Sequence, residues 1–225
     1  MAGQKGFLYE GRVFNKLKSN NLVPRGVKPA GPDPSKPDAV FLYDKVPHNL
    51  EVKLDLATDF GQGTLEYKDG AWTLGGADTP AAEEMRNILN AVGTVQFTNT
   101  SWGYQGAPNK GTVENKDITD EMVLEDYRRF KDKFLSVPLS SLFNYYAAKN
   151  TYYIQIGGYG MYYMAGNPGN LPVPKFNGSM KLRIRLKRGS STPIYNYRFT
   201  TALQVVQKPS ISKFDIDKSM NFLVA

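Results

Sequence analysis

Residues 24–37, PRGVKPAGPDPSKP, hold five prolines and two glycines, and they separate two different hydrophobic rhythms. Proline lacks an amide proton and fixes φ, so no regular element passes through such a stretch. Before it, Phe7, Phe14 and Leu17 recur at helical spacing, with Leu8 and Val13 widening the stripe. This predicts a helix over residues 4–20, ended by Asn20-Asn21 and forbidden to continue by Pro24. After it come two apolar runs, DAVFLYD (38–44) and LEVKLDL (50–56), rich in residues that favour strands. The second alternates, with Glu51, Lys53 and Asp55 on one face and Val52, Leu54 and Leu56 on the other. The intervening KVPHN (45–49) reads as a hairpin connection, with His48 a solvent-facing turn residue.

The remaining pattern is mixed. Residues 64–74 read as a short strand or turn region. Thr79-Pro80 looks like an N-cap and first helical residue, with Glu83 and Glu84 in the first turn and Met85, Ile88, Leu89 and Val92 on one face, predicting a helix over 80–92. Residues 94–117 read as irregular. Thr119 caps a further helix whose buried stripe is expected to be Val123, Tyr127, Phe130 and Phe134. Pro138 ends it and opens another helix over 138–149. Residues 151–165 form a hairpin broken at Gly157-Gly158, and 180–188 and 194–206 form strands joined by the turn GSSTP. Helix, hairpin, helices and then strands indicate an α/β or α+β fold. The 225 residues suit one domain, with a core at about 4–92, a helical insert at about 118–149 and a β-rich basic region at about 151–208.

Composition narrows the chemistry. There is no cysteine and one histidine, so disulfides, thiolate metal sites, cysteine nucleophiles and multi-histidine zinc sites are excluded. Any catalysis rests on carboxylates, lysine, tyrosine, serine or a hard metal. The 28 Lys and Arg against 21 Asp and Glu leave a net charge of +7, which attracts polyanions. The N-terminus has no signal-peptide run, and no stretch of about 18 apolar residues could span a bilayer. A soluble, cytoplasmic protein is expected.

Glu10, Asp38, Glu51 and Lys53 stand out. Oxygen donors can hold a hard cation beside a phosphate, and a lysine can position the attacking water or stabilise charge at phosphorus. Glu51 and Lys53 share a strand face, and Asp38 opens the neighbouring strand after Pro37. If 38–44 pairs with 50–56, a twist or bend must bring Asp38 to Glu51.

Pro37-Asp38 followed, after a gap of twelve residues, by Glu51-Val52-Lys53 resembles the PD-(D/E)XK motif of restriction-endonuclease-like nucleases. The resemblance covers roughly residues 5–67. It implies a mixed sheet flanked by helices, with the β-rich C-terminal part added to it. By the same resemblance Asp38 and Glu51 hold Mg²⁺, which Mn²⁺ can replace, Lys53 serves the attacking water, and Glu10 completes the metal shell. Gln62, in FGQGTLEY, is a possible accessory residue. The activity implied is Mg²⁺-dependent endonucleolytic cleavage of DNA, first of the type II restriction kind; a phage-encoded, homing or repair nuclease is also compatible with the motif. Enzymes of this kind often act as homodimers so that both strands are cut, and no nucleotide cofactor is implied.

Lys181, Arg183, Arg185 and Lys187 alternate with Leu182, Ile184 and Leu186. Aligned like charges repel and call for a counter-anion, which a DNA backbone would supply. Two further readings compete: a non-catalytic nucleic-acid-binding module that keeps only this strand, and an assembly protein whose tyrosine-rich strands make subunit contacts.

Overall fold

The first helical rhythm becomes α1 (Ala2–Ser19), and the second rhythm becomes the hairpin β1 (Ala39–Tyr43) and β2 (Val46–Lys53). The computed structural model describes residues 2–29, 36–101, 117, 119–188 and 197–224. The central part of the proline-rich run, most of 94–117 and the turn GSSTP lie outside the described residues.

After the hairpin come β3 (Gly61–Lys68), β4 (Ala71–Leu74), α2 (Pro80–Ala91) and the short α3 (Thr94–Gln96), which passes into a π-helical turn at Phe97–Ser101. Next are α4 (Asp120–Arg129), β5 (Lys133–Val137), α5 (Leu139–Ala148), β6 (Tyr153–Ile156), β7 (Gly160–Tyr163), β8 (Met180–Arg188) and β9 (Tyr197–Val205). The fold is mixed α and β, with two sheets. None of the described helices is long and apolar enough to cross a membrane.

The chain divides into two compact units. One comprises Met1–Phe60, Pro138–Met180 and Val205–Ala225; the other comprises Gly61–Val137 and Lys181–Gln204. The first holds the four-stranded sheet β1-β2-β6-β7, in which β2 and β6 run parallel and the outer pairs antiparallel. Parallel strands need a long crossover, and here everything from β3 to α5 lies between β2 and β6 in the chain. Tyr9, Val13, Phe14 and Leu17 of α1 are buried with Phe41, Leu50, Val52, Tyr153 and Met161. The buried face of α1 thus runs through Tyr9, Val13 and Leu17 at four-residue spacing. Phe7 and Leu8, expected in the stripe, are exposed. Tyr9 outcompetes them because its ring packs inward while its hydroxyl donates to Asp217 (2.8 Å).

The second unit holds the sheet β4-β3-β9-β8-β5. Its core joins Trp72, Phe130 and Phe199 through edge-to-face contacts, with ring centroids 4.5 Å and 5.4 Å apart. Thr79 caps α2 by accepting the Ala82 amide, with Pro80 at the first helical position, as the sequence predicts. The expected stripe of α4 is wrong in part. The helix ends at Arg129, Phe134 stands exposed on β5, and Tyr127 is also exposed. Lys133–Val137 satisfies its backbone in the sheet instead of extending the helix.

Candidate active site

A tight turn sets the site. Only Asp44 and Lys45 separate β1 from β2, and both have positive φ (49° and 63°), the pattern of a type I′ hairpin turn. The turn fixes the register Tyr43↔Val46 through Ala39↔Leu50, so one further step brings Asp38 beside Glu51 and Val52. The Asp38 carboxylate accepts the Val52 amide at 2.7 Å. The expected connection at 45–49 and the expected strand at 50–56 are therefore shifted: residues 46–49 belong to β2, and no bend is needed to bring Asp38 to its partner. His48 is a strand residue, with its ring 5.5 Å from those of Phe41 and Tyr153, and burial pushes its pKa down.

Glu51 is almost completely buried. Its Oε1 lies 2.6 Å from the Lys53 ammonium, and its Oε2 lies 3.2 Å from that of Lys149. The Tyr146 hydroxyl, 2.6 Å from the Phe60 carbonyl to which it donates, also lies 3.2 Å from Glu51 Oε1. Burial alone would raise the Glu51 carboxyl, but the two ammonium groups overcome it and hold Glu51 ionised below the usual range. Burial likewise disfavours a charged Lys53, but the negative charges of Glu51 and Asp38 raise its pKa and keep it protonated. Asp38 goes the other way. Burial, then repulsion from Glu51, pushes it up to about 7 against the opposing effects of Lys53 and the Val52 amide.

Glu10 is half-buried on α1. Burial raises its pKa, Lys53 lowers it and Glu51 raises it, so the same charged cluster acts on all four residues singled out in the sequence. A second polar network holds α1 in place. Gln155 on β6 donates to Asp215 (2.8 Å) and to the Tyr9 hydroxyl (3.3 Å), and its carbonyl accepts the Ile216 amide (3.3 Å). Arg12 pairs with Asp217 at 3.0 Å, and the Lys16 ammonium donates to the Ile216 carbonyl at 3.2 Å. The C-terminal segment is thereby fastened to the helix that carries Glu10.

Tyr146 and Lys149 were not singled out in the sequence. They lie on and just after α5, some 95 residues beyond Glu51, and no local pattern marks them. Only the parallel pairing of β2 with β6 (Leu50↔Tyr153) brings the end of α5 to Glu51.

Among the described residues no three acidic or histidine side chains are already drawn together as a metal-ligand group. In donor type the cluster does suit a hard cation: Asp38, Glu51 and Glu10 offer only carboxylate oxygens. Burial, then repulsion from Glu51 and Glu10, raises Asp38, and a divalent cation would offset that repulsion.

The other residues of interest lie in the second unit. Gln62 is exposed on β3 and lines a cavity of about 200 Å³ with Thr64, Arg86 and Thr200. On β8, Leu182, Ile184 and Leu186 are buried, as the alternation requires. The cationic face is partly satisfied within the protein: Arg185 makes a forked contact to Asp132 (2.9–3.1 Å), and the Lys181 ammonium lies 3.9 Å from the centre of the Phe134 ring. Lys187 is exposed. No family model matches the sequence, and neither a curated protein nor a solved structure matches it.

Proposed function

We propose that the protein is a metal-dependent endonuclease that hydrolyses phosphodiester bonds in DNA, with its active site on a restriction-endonuclease-like β1–β2 core. One observation carries the reading: Asp38 and the Glu51–Lys53 pair meet on adjacent antiparallel strands, with Glu51 and Lys53 largely removed from water. Asp38 and Glu51, with Glu10 on α1, would hold the cation. A bound Mg²⁺ supplies Lewis acidity and makes its water a better nucleophile near neutral pH.

Lys53 has two tasks. It stays charged because Glu51 and Asp38 stabilise its ammonium form. Its position on the Glu51 face lets that charge orient the attacking water and offset negative charge at phosphorus. Asp38 must lose its proton to hold a cation, so metal affinity should rise with pH. The cationic face of β8 would lie along the DNA backbone, with Lys187 an exposed member. A type II restriction enzyme is the first setting we propose for this chemistry, with a phage-encoded, homing or repair nuclease as the alternative.

The decisive assay uses plasmid and phage DNA with Mg²⁺, Mn²⁺, Ca²⁺ or EDTA, with Lys53→Ala alongside. Cutting that needs Mg²⁺ or Mn²⁺ and falls at least about 100-fold in the variant is expected. No cutting by folded wild-type protein, or equal cutting by the variant, would overturn the reading. DNA binding that is sensitive to salt but never leads to cleavage would leave a binding module built on β8.

A further inference from the structure

Glu51 has two lysine partners where one would neutralise it. Lys53 is the closer, at 2.6 Å, and it projects from the same strand. Lys149 reaches in from the end of α5, its side chain only 14% exposed, and meets the other carboxylate oxygen at 3.2 Å. A cation is favoured at a helix C-terminus, but one serving only that end would keep its ammonium in water. Burying an ammonium ion costs several kcal/mol unless its charge is used.

The backbone fixes Lys149 firmly. Its amide donates to the Tyr146 carbonyl at 3.0 Å, and its own carbonyl accepts the Thr151 hydroxyl at 3.2 Å. Asn49 of β2 donates to the Asn150 carbonyl at 3.0 Å, tying this turn to the strand that carries Glu51. The ammonium also lies 5.4 Å from the Tyr146 ring centre and 5.9 Å from that of Tyr145.

Charge explains why a second lysine is useful. With Glu10, Asp38 and Glu51 ionised, Lys53 and Lys149 leave the cluster one negative charge. A divalent cation makes it one positive, which a single phosphodiester would neutralise. Without Lys149 the loaded cluster would be neutral and would have no net pull on a phosphate.

We infer that Lys149 is the substrate-binding residue that takes the scissile phosphate, with Glu51 as its resting partner. This rests on the nuclease reading. Lys53 then remains with the attacking water, and the two lysines divide the work that a single one does in the motif.

The test is DNA-binding anisotropy on the full chain with a short duplex, in Ca²⁺ and in EDTA, over a range of KCl. The wild type should bind more tightly in Ca²⁺. Lys149→Gln should weaken binding about tenfold in Ca²⁺ and little in EDTA, and reduce the salt slope by about one. Lys149→Arg should keep most of the Ca²⁺-dependent gain. Lys149→Met, whose stem still packs against Tyr145 and Tyr146, carries the same expectation where the glutamine variant does not fold. If either neutral variant keeps the full gain, or loses equally in Ca²⁺ and EDTA, Lys149 is only structural and the inference fails while the nuclease stands. If the wild type shows neither a Ca²⁺-dependent gain nor Mg²⁺-dependent cleavage, the nuclease reading falls and takes this inference with it.

Discussion

β2 and β8 read alike as sequence, since each alternates charged and apolar side chains, but the fold treats their charges in opposite ways. On β2 the charged face is covered. Glu51 and Lys53 have side chains 5% and 15% exposed, so they must pair with each other and with Lys149. On β8 the corresponding face is open at Arg185 and Lys187 and half-buried at Lys181 and Arg183. Arg185 is 45% exposed and is met by Asp132, itself at the surface, and Lys187 faces water. Alternation decides which residues share a face; whatever packs over that face decides whether their charges are costly and chemically potent or cheap and screened.

The largest effect expected from this contrast is in Glu51→Ala. Removing the shared partner takes the nearest carboxylate from two buried ammonium groups and should cost about 3–5 kcal/mol, read by chemical denaturation. A loss below about 1 kcal/mol would mean that the β2 cluster is as well hydrated as β8, and the contrast would collapse.

Asp38→Asn should act next, with an unusual sign. Asp38 binds its proton more tightly in the folded state, near pH 7, than at its ordinary value of 3.8. Its favourable contribution is therefore complete below about pH 4 and lost as pH rises to about 7. In EDTA, Asp38→Asn should remove that decline and be more stable than the wild type at pH 8 by about 1–2 kcal/mol, less than the full shift implies because the carboxyl keeps some contact with water. Thermal unfolding against pH reads this directly; an unchanged pH profile would show that Asp38 is not held in a like-charged, desolvated setting.

On β8 the effects should be small. Arg185→Ala should cost at most about 1 kcal/mol and less at high salt, and a double-mutant cycle with Asp132→Ala isolates the pair. Lys187→Ala should leave stability within about 0.5 kcal/mol of the wild type. It should weaken DNA binding a few-fold and lower the salt slope by about one, as loss of a phosphate contact would. A stability loss from Lys187→Ala comparable to that from Glu51→Ala would place β8 in the same class as β2.

Much of the site was legible because its members are close in sequence. Pro37-Asp38 leads directly into β1, Glu51-Val52-Lys53 lies on the neighbouring β2, and the alternation of β2 puts Glu51 and Lys53 on one face. The register was harder to read. Asp69-Gly70, between β3 and β4, is a strong type I′ signal, with both residues at positive φ. Asp44-Lys45 makes the same kind of turn without a glycine, so the hairpin looked longer in sequence than it is. The α4 stripe misled because Phe134 matches a helical spacing while its backbone joins a sheet.

The sequence by itself determined the local rhythms: the first helix, the alternation of β2 and β8, the cap of α2, and the presence of carboxylates and a lysine at a nuclease-like spacing. Those features depend on side chains a few residues apart. Only the tertiary structure decided that Tyr9 rather than Phe7 faces the core, that Lys149 and Tyr146 reach Glu51, and that Asp38 titrates near 7. Each depends on burial and on charges brought together across about a hundred residues by the parallel pairing of β2 and β6, and the energy of a charge depends on what surrounds it in space, not on its neighbours along the chain.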